Sequence, residues 1–161
     1  FFKTYNLPII ISNCTNNYGP WQFKEKLIPV VISSIIQNKK IPVYGNGINV
    51  RDWIYVDDHI SAINFIINNG LIGETYCIGA NNELSNLELI QKICKISDKF
   101  LNNKSNSFDL IEFVDDRLGH DIRYSIDSSK LLKLGWKSAF SFDESLERTV
   151  RWYIENPEWI I

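Results

Sequence analysis

Residues 13–29 read NCTNNYGPWQFKEKLIP. The β-branched run PIIISNC at 8–14 leads into this stretch and predicts a buried strand. After it, Leu27, Ile28, Val31, Ile32, Ile35 and Ile36 recur at helical spacing and predict a helix over 25–37. A loop between a strand and a helix is where open α/β sheets hold their ligands. The free N–H groups and positive dipole end of a helix starting near Lys24 to Lys26 favour an anion, and Lys26 adds a point charge. Asn16 and Asn17 each bring a donor and an acceptor to the strand's mouth. The plainer alternative is that the asparagines cap turns and the lysines solvate a helix start.

Short strands and helices alternate beyond this loop. IPVYG at 41–45 is a strand closed by the turn signal Gly45-Asn46-Gly47, and RDWIYV at 51–56 is extended. Asp57 is placed to cap a helix carrying Ile60, Ile63, Ile66 and Ile67 and stopped at Asn69-Gly70. TYCIG at 75–79 is a further strand. Ser85 and Glu88 have capping-box spacing before the stripe Leu87, Ile90, Ile93 and Cys94. Residues 98–107 are polar and predict a surface loop, 109–114 a strand, and 115–121 a charged loop. Asp127 would cap a short helix ending at Gly135. Ser141 and Glu144 repeat the capping box before a helix with Leu146, Val150 and Tyr153, closed by Pro157. With no repeat and no linker, the pattern is mixed α/β.

Composition narrows the function. The 161 residues suffice for one domain with a sizeable core. A net charge of −2 gives no footprint for nucleic acid. No apolar run approaches the roughly 20 residues of a membrane span. Cys14, Cys77 and Cys94 are odd in number and widely spaced, which argues against a disulfide framework and a Cys-based metal site and favours a reducing cytoplasm. The chain has no Met and begins FFKTYNLP, which reads as a helix end running into a strand; a piece of a longer chain is expected.

Two more segments could carry chemistry. In RDWIYVDDH, Arg51 offers a planar fork suited to phosphate or carboxylate. Its bland alternative is a surface pairing with Asp52 beside a core Trp53. Asp57, Asp58 and His59 are better explained by a helix cap than by a metal. In DDRLGHD, Arg117 and His120 flank Gly119, where backbone can approach a ligand closely; the alternative is a solvated loop. If Lys26, Arg51 and Arg117 converge, they make a diphosphate site.

The stretches NCTNNYGPWQFKEKLIP, IPVYGNGINVRDWIYVDDH and DDRLGHDIRYSID together resemble the C-terminal half of the dTDP-glucose 4,6-dehydratases, extended short-chain dehydrogenase/reductases that act on nucleotide sugars. The likeness spans nearly the whole chain and is least telling at 98–107. It implies the last strand of an NAD-binding Rossmann fold plus the smaller α/β substrate-binding domain, with the N-terminal NAD-binding half absent from 1–161. On this resemblance Asn16 contacts the sugar nucleotide and Asn17 lies at the nicotinamide side of the NAD cofactor. Lys26 and Leu27 line the nucleotide-diphosphate site. Pro42, Val43 and Tyr44 pack against the thymine base, Arg51 binds the diphosphate, and Asn86 lies near the nucleotide. Asp116, Arg117, Leu118, Gly119 and His120 form the loop closing over it, with Arg117 as anion partner.

Leu118 stands where the family usually has Pro, Cys77 where it has Asn, and Lys24 replaces a common Pro; none removes a charged contact. The family's Gly-rich turn, its Tyr-x-x-x-Lys pair and its Asp-Glu pair do not fall on matching positions here. In the family, that Tyr removes the sugar 4-hydroxyl proton as C4 gives hydride to NAD. The Glu takes the C5 proton, the Asp helps water leave C6, and hydride returns to C6. The resemblance therefore implies a dTDP-sugar-binding piece of a homodimeric lyase of deoxysugar biosynthesis, with no catalytic residue of its own. A piece of another sugar-nucleotide epimerase or decarboxylase, or a non-catalytic nucleotide-sugar-binding module, are the alternatives.

Overall fold

The computed structural model describes residues 1–102 and 106–161. A helical turn, α1 (Phe2–Tyr5), ends at Asn6 in the left-handed conformation and leads into β1 (Ile11–Cys14). β1 is shorter and far more exposed than a buried strand. It pairs in parallel with β5 (Thr75–Ile78), from Ile11↔Thr75 to Cys14↔Ile78. Among the described residues helices pack on the face that carries Tyr76 and Ile78, and Ile11 on the other face is 51% exposed.

Asn16 and Asn17 lie on a strand and not in a loop. β2 (Asn16–Tyr18) runs parallel to β4 (Val50–Tyr55), pairing Asn16↔Trp53, Asn17↔Ile54 and Tyr18↔Tyr55. β4 also pairs antiparallel with β6 (Glu83–Ser85) and in parallel with the short β8 (Arg123–Tyr124). β3 (Ile41–Tyr44) pairs in parallel with β7 (Ile111–Val114). β7 starts two residues later than its sequence predicts, because a 3-10 turn takes up Ser107–Leu110.

Strand β4 divides two cores. Successive strand side chains point to opposite faces. Trp53 and Tyr55 enter a core built by α2 (Leu27–Ile36), α4 (Asn86–Leu101) and α6 (Phe142–Glu155). Ile28, Val31 and Ile32 of α2 meet Leu89, Ile90 and Ile93 of α4 and Leu146, Val150 and Tyr153 of α6 there. Each such aliphatic side chain contributes about 1.5–3 kcal/mol when fully buried. Ile54, between Trp53 and Tyr55, enters the other core with Ala62 and Ile66 of α3 (Val56–Asn69), Tyr76 and Ile78 of β5, and Leu131 of α5 (Ser129–Leu134).

Both capping boxes form. The Ser85 hydroxyl accepts the Glu88 N–H while the Glu88 carboxylate accepts the Ser85 N–H at 2.8 Å, and Ser141 and Glu144 do the same. Asp127 is not the N-cap of α5, which is Ser128, but from one residue before it its carboxylate accepts the Ser129 N–H at 2.8 Å. Asp57 is not a cap: β4 runs straight into α3, so Tyr55 is its N-cap. Asp57 and Asp58 sit in the first turn, where the dipole favours them. Asp58 is buried and accepts the Ala139 N–H at 2.8 Å. The expected loop at 98–107 is partly helix, since α4 continues to Leu101 and Asn102 closes it in the left-handed conformation. Asp98 holds the far side by accepting from the Ser107 backbone and hydroxyl. Residues 103–105 of that expectation lie outside the described residues. Among the described residues no helix is long and apolar enough to cross a membrane.

Candidate nucleotide-sugar site

Strand pairing brings distant segments to one place. Pairing of β3 with β7 puts Tyr44 beside Val114, and the Gly45 N–H donates to the Val114 carbonyl at 2.9 Å. Gly45 has φ +58, and a Cβ there would meet the Asp116 carboxylate at 3.0 Å, so the turn needs glycine for both conformation and room. The loop at 115–121 therefore starts against β3. Its far end is tied to β4, where Arg51 Nη2 donates to the Asp121 carbonyl at 2.9 Å and Asn49 Nδ2 donates to the same oxygen at 3.1 Å. Asp52 turns away from Arg51 into the interior and accepts the Asn82 N–H at 2.7 Å, so no Arg51–Asp52 surface pair exists.

Within that loop His120 Nδ1 lies 2.7 Å from Asp116 Oδ1, and its Nε2 lies 3.2 Å from Arg117 Nη2. The hydrogen bond from His120 holds the Asp116 carboxyl below its ordinary range, with desolvation opposing and the Arg117 N–H assisting. The Arg117 guanidinium sits over the Tyr44 ring, 5.2 Å from its centroid, a cation–π arrangement.

Lys26, Arg51 and Arg117 line one cavity of about 370 Å³. Asn16, Leu27, Pro42, Tyr44, Asn86 and His120 line it with them. Among the described residues none of the three cations has a carboxylate partner within ion-pair distance. Val43 is not on the wall: the alternation of β3 turns Pro42 and Tyr44 to the cavity and Val43 into the core. Asp116 stands behind His120, Leu118 is fully exposed, and Gly119 is off the wall with φ +70 and open space around it. Glu25, Val30 and Trp53 complete the lining, and the sequence reading missed them as site residues. Two carried a signal: Trp53 is two residues from Arg51 on a strand, and Val30 three from Leu27 on a helix, so each shares its neighbour's face.

A second cavity adjoins the first, and a third adjoins the second. One of about 350 Å³ is lined by Asn16, Asn17, Gln22, Lys26, Leu27 and Trp53. One of about 580 Å³ lies between Asn17 to Gln22 and the start of α3, where Tyr55, Val56, Asp57 and Ile60 form its other wall. Asn17 thus belongs to these two and not to the cationic cavity. Its Nδ2 donates to the Thr15 carbonyl at 3.1 Å, and its own carbonyl accepts Gln22 Nε2 at 2.7 Å. The connection at 19–22 is held from the C-terminal end: the Tyr153 hydroxyl lies 3.2 Å from the Gly19 and Gln22 carbonyls, and Trp159 Nε1 donates to Gln22 O at 3.3 Å. Trp21, at φ 65, packs its ring tilted against Trp152 at 4.7 Å and edge-on against Trp159 at 4.9 Å, and this aromatic packing offsets the strained backbone.

Comparison with known proteins identifies the family by sequence and the fold by superposition. The model of the GDP-mannose 4,6 dehydratase family matches residues 1–149. A probable dTDP-glucose 4,6-dehydratase of Sinorhizobium fredii is 51% identical over 158 residues, 98% of this chain and 45% of that protein. A dTDP-glucose 4,6-dehydratase of Escherichia coli is 46% identical over 162 residues, again 98% of this chain and 45% of its own length. The chain therefore spans about half the length of the curated relatives it matches. The crystal structure of the Bacillus anthracis dTDP-glucose 4,6-dehydratase with NAD superposes with TM-score 0.87 at 43% identity, covering 98% of this chain and 48% of that one. A Streptomyces venezuelae dTDP-glucose 4,6-dehydratase, also with NAD, gives TM-score 0.89 at 41% identity, covering 98% and 47%. These neighbours have the NAD-binding Rossmann-type fold. With its α/β architecture, its parallel strands and the family match over nearly all its length, the chain belongs to the GDP-mannose 4,6 dehydratase family.

Proposed function

We propose that this chain is the C-terminal, nucleotide-sugar-binding part of an NAD-dependent dTDP-glucose 4,6-dehydratase, a lyase that makes a 4-keto-6-deoxy sugar nucleotide. The observation that carries this reading is the placement of Lys26, Arg51 and Arg117 around one cavity. Three cations without carboxylate partners among the described residues suit a pyrophosphate, and the two arginine forks suit its oxygens. Pro42 and Tyr44 offer a flat apolar wall for the base, and Val43 supports it from the core. Asn16, Leu27, Asn86 and His120 complete the wall. Asp116 positions His120, and Leu118 and Gly119 form the outer rim of the loop.

The fit to NAD rests on Asn17, whose Oδ1 is buried and has no partner among the described residues. Its Nδ2 is engaged by the Thr15 carbonyl, so the free end is an acceptor, which suits the amide N–H of a nicotinamide. When bound, NAD would take a hydride from the sugar and return it. The chain's own residues bind and orient; none takes the proton-transfer roles, so the chain by itself binds without turnover. The reading includes a cytoplasmic, homodimeric parent whose dimer contacts lie largely outside these residues.

Titration calorimetry of the chain with dTDP and with UDP tests the reading. Binding of dTDP in preference to UDP is expected. No heat with millimolar dTDP rejects the binding role, and a preference for UDP rejects the dehydratase assignment in favour of another sugar-nucleotide enzyme.

A further inference from the structure

Three residues that line the 350 Å³ cavity carry a buried polar atom with no hydrogen-bond partner among the described residues: Asn17 Oδ1, assigned above to the nicotinamide, and Gln22 Oε1 and Trp53 Nε1. Native proteins seldom leave such groups unpaired. The free end of each is unambiguous. Gln22 Nε2 donates to the Asn17 carbonyl at 2.7 Å, which leaves its oxygen as an acceptor. Trp53 is 3% exposed, and its indole N–H can only donate.

The position of this cavity says what should reach it. It shares Asn16, Lys26, Leu27 and Trp53 with the cationic cavity, and Asn17 and Gln22 with the 580 Å³ cavity. A ligand whose diphosphate lies among the three cations therefore extends its next group past Gln22 and Trp53. That group must offer a donor to Gln22 and an acceptor to Trp53. A phosphate offers only acceptors at neutral pH, so it would set an oxygen against Gln22 Oε1. A hydroxylated ring supplies both, since each hydroxyl donates once and accepts twice.

We infer that Gln22 and Trp53 are specificity-determining residues that read hydroxyl groups of the hexose, Gln22 Oε1 accepting from one and Trp53 Nε1 donating to one. The inference rests on the nucleotide-sugar reading above and adds residues that its cationic cavity does not define.

The test is the ratio of affinities for dTDP-glucose and dTDP, measured by calorimetry on the 161-residue chain and on its Gln22→Met and Trp53→Phe variants. The unsubstituted chain should bind dTDP-glucose more tightly than dTDP. Each substitution should cut that ratio about tenfold, because a site built to pair with a hydroxyl discriminates through the groups left unpaired. Equal affinity of the unsubstituted chain for both ligands overturns the inference while leaving the diphosphate site intact. A substituted chain that loses affinity for both ligands in proportion also overturns it, since that is the mark of a structural role. Absence of dTDP binding to the unsubstituted chain sinks the nucleotide-sugar reading, and this inference with it. Should Trp53→Phe lose its folded circular dichroism, Gln22→Met decides alone.

Discussion

Nη2 of Arg117 lies 3.2 Å from Nε2 of His120, and this contact sets the hydrogen-bond direction through the loop at 115–121. A guanidinium only donates, so Nε2 must accept, and Nδ1–H is left to donate to Asp116. Arg117 is thereby held between the imidazole and the Tyr44 ring, with its charge toward the cavity. Arg117→Ala is expected to weaken dTDP binding by about ten- to a hundredfold, the range for removing a charge-assisted hydrogen bond. His120→Ala should cost less, because Tyr44 still supports the guanidinium. Calorimetry ranks the two variants; an equal or larger loss in His120→Ala would mean the imidazole itself is the main ligand contact.

Arg51 has a double task. Its fork donates to the Val50 carbonyl at 2.7 Å and the Asp121 carbonyl at 2.9 Å, and it also lines the cavity. Lysine keeps the charge but lacks the fork. Arg51→Lys should therefore retain part of the dTDP affinity that Arg51→Ala loses. Both should melt at lower temperature, because each frees the end of the 115–121 loop. A melting temperature unchanged in both variants would show that Asn49 holds the loop by itself.

High pH should destabilise the fold steeply. Burial pushes the Tyr153 hydroxyl and the Cys94 thiol up to about 12, and raises Tyr18 as well, although its bond to Ser145 opposes the shift. In the unfolded chain these groups release protons near their ordinary values of 10.0 for Tyr and 9.0 for Cys, while the folded protein still holds them. The unfolded state then binds fewer protons, so stability is full below that range and falls as pH rises through it. Urea unfolding between pH 8 and about 11 should show this decline. Tyr18→Phe and Cys94→Ala should flatten it, whatever they cost at neutral pH.

Acid should act through the helix caps. The Ser85 hydroxyl and backbone N–H lower the Glu88 pKa, and Ser141 lowers Glu144 in the same way. As pH falls below the ordinary 4.5 of Glu, the unfolded chain takes up protons first, and stability declines until the folded carboxylates are protonated too. The melting temperature should drop through this window in the native chain and drop less in the double variant Glu88→Gln, Glu144→Gln.

Loss of a cap should be felt next to the site. Ser85→Ala removes the acceptor for the Glu88 N–H and should cost about 1 kcal/mol, seen as about 2–4 °C in melting temperature. Asn86, the first residue of α4, lines the cationic cavity, so dTDP affinity should fall alongside. A lowered melting temperature with unchanged affinity would place Asn86 outside the binding contacts.

What the sequence determined by itself is local. Ser85 with Glu88, Ser141 with Glu144, the Gly45–Gly47 turn and the helical spacing of α2, α4 and α6 are legible because each depends on residues within one or two turns of chain. The chemistry of the cations was legible too, since a guanidinium has the same donors wherever it lies. Tertiary structure alone decided that Lys26, Arg51 and Arg117 share a cavity. That convergence comes from β2 and β8 pairing with β4 and from β7 pairing with β3, contacts between segments tens of residues apart. It also decided that Trp53 faces the cavity while its neighbour Ile54 faces another core, that Val43 turns inward, and that β1 keeps an uncovered face. Strand alternation separates the two faces of a strand, but only the neighbours that pack on each face determine which one is wall, core or solvent.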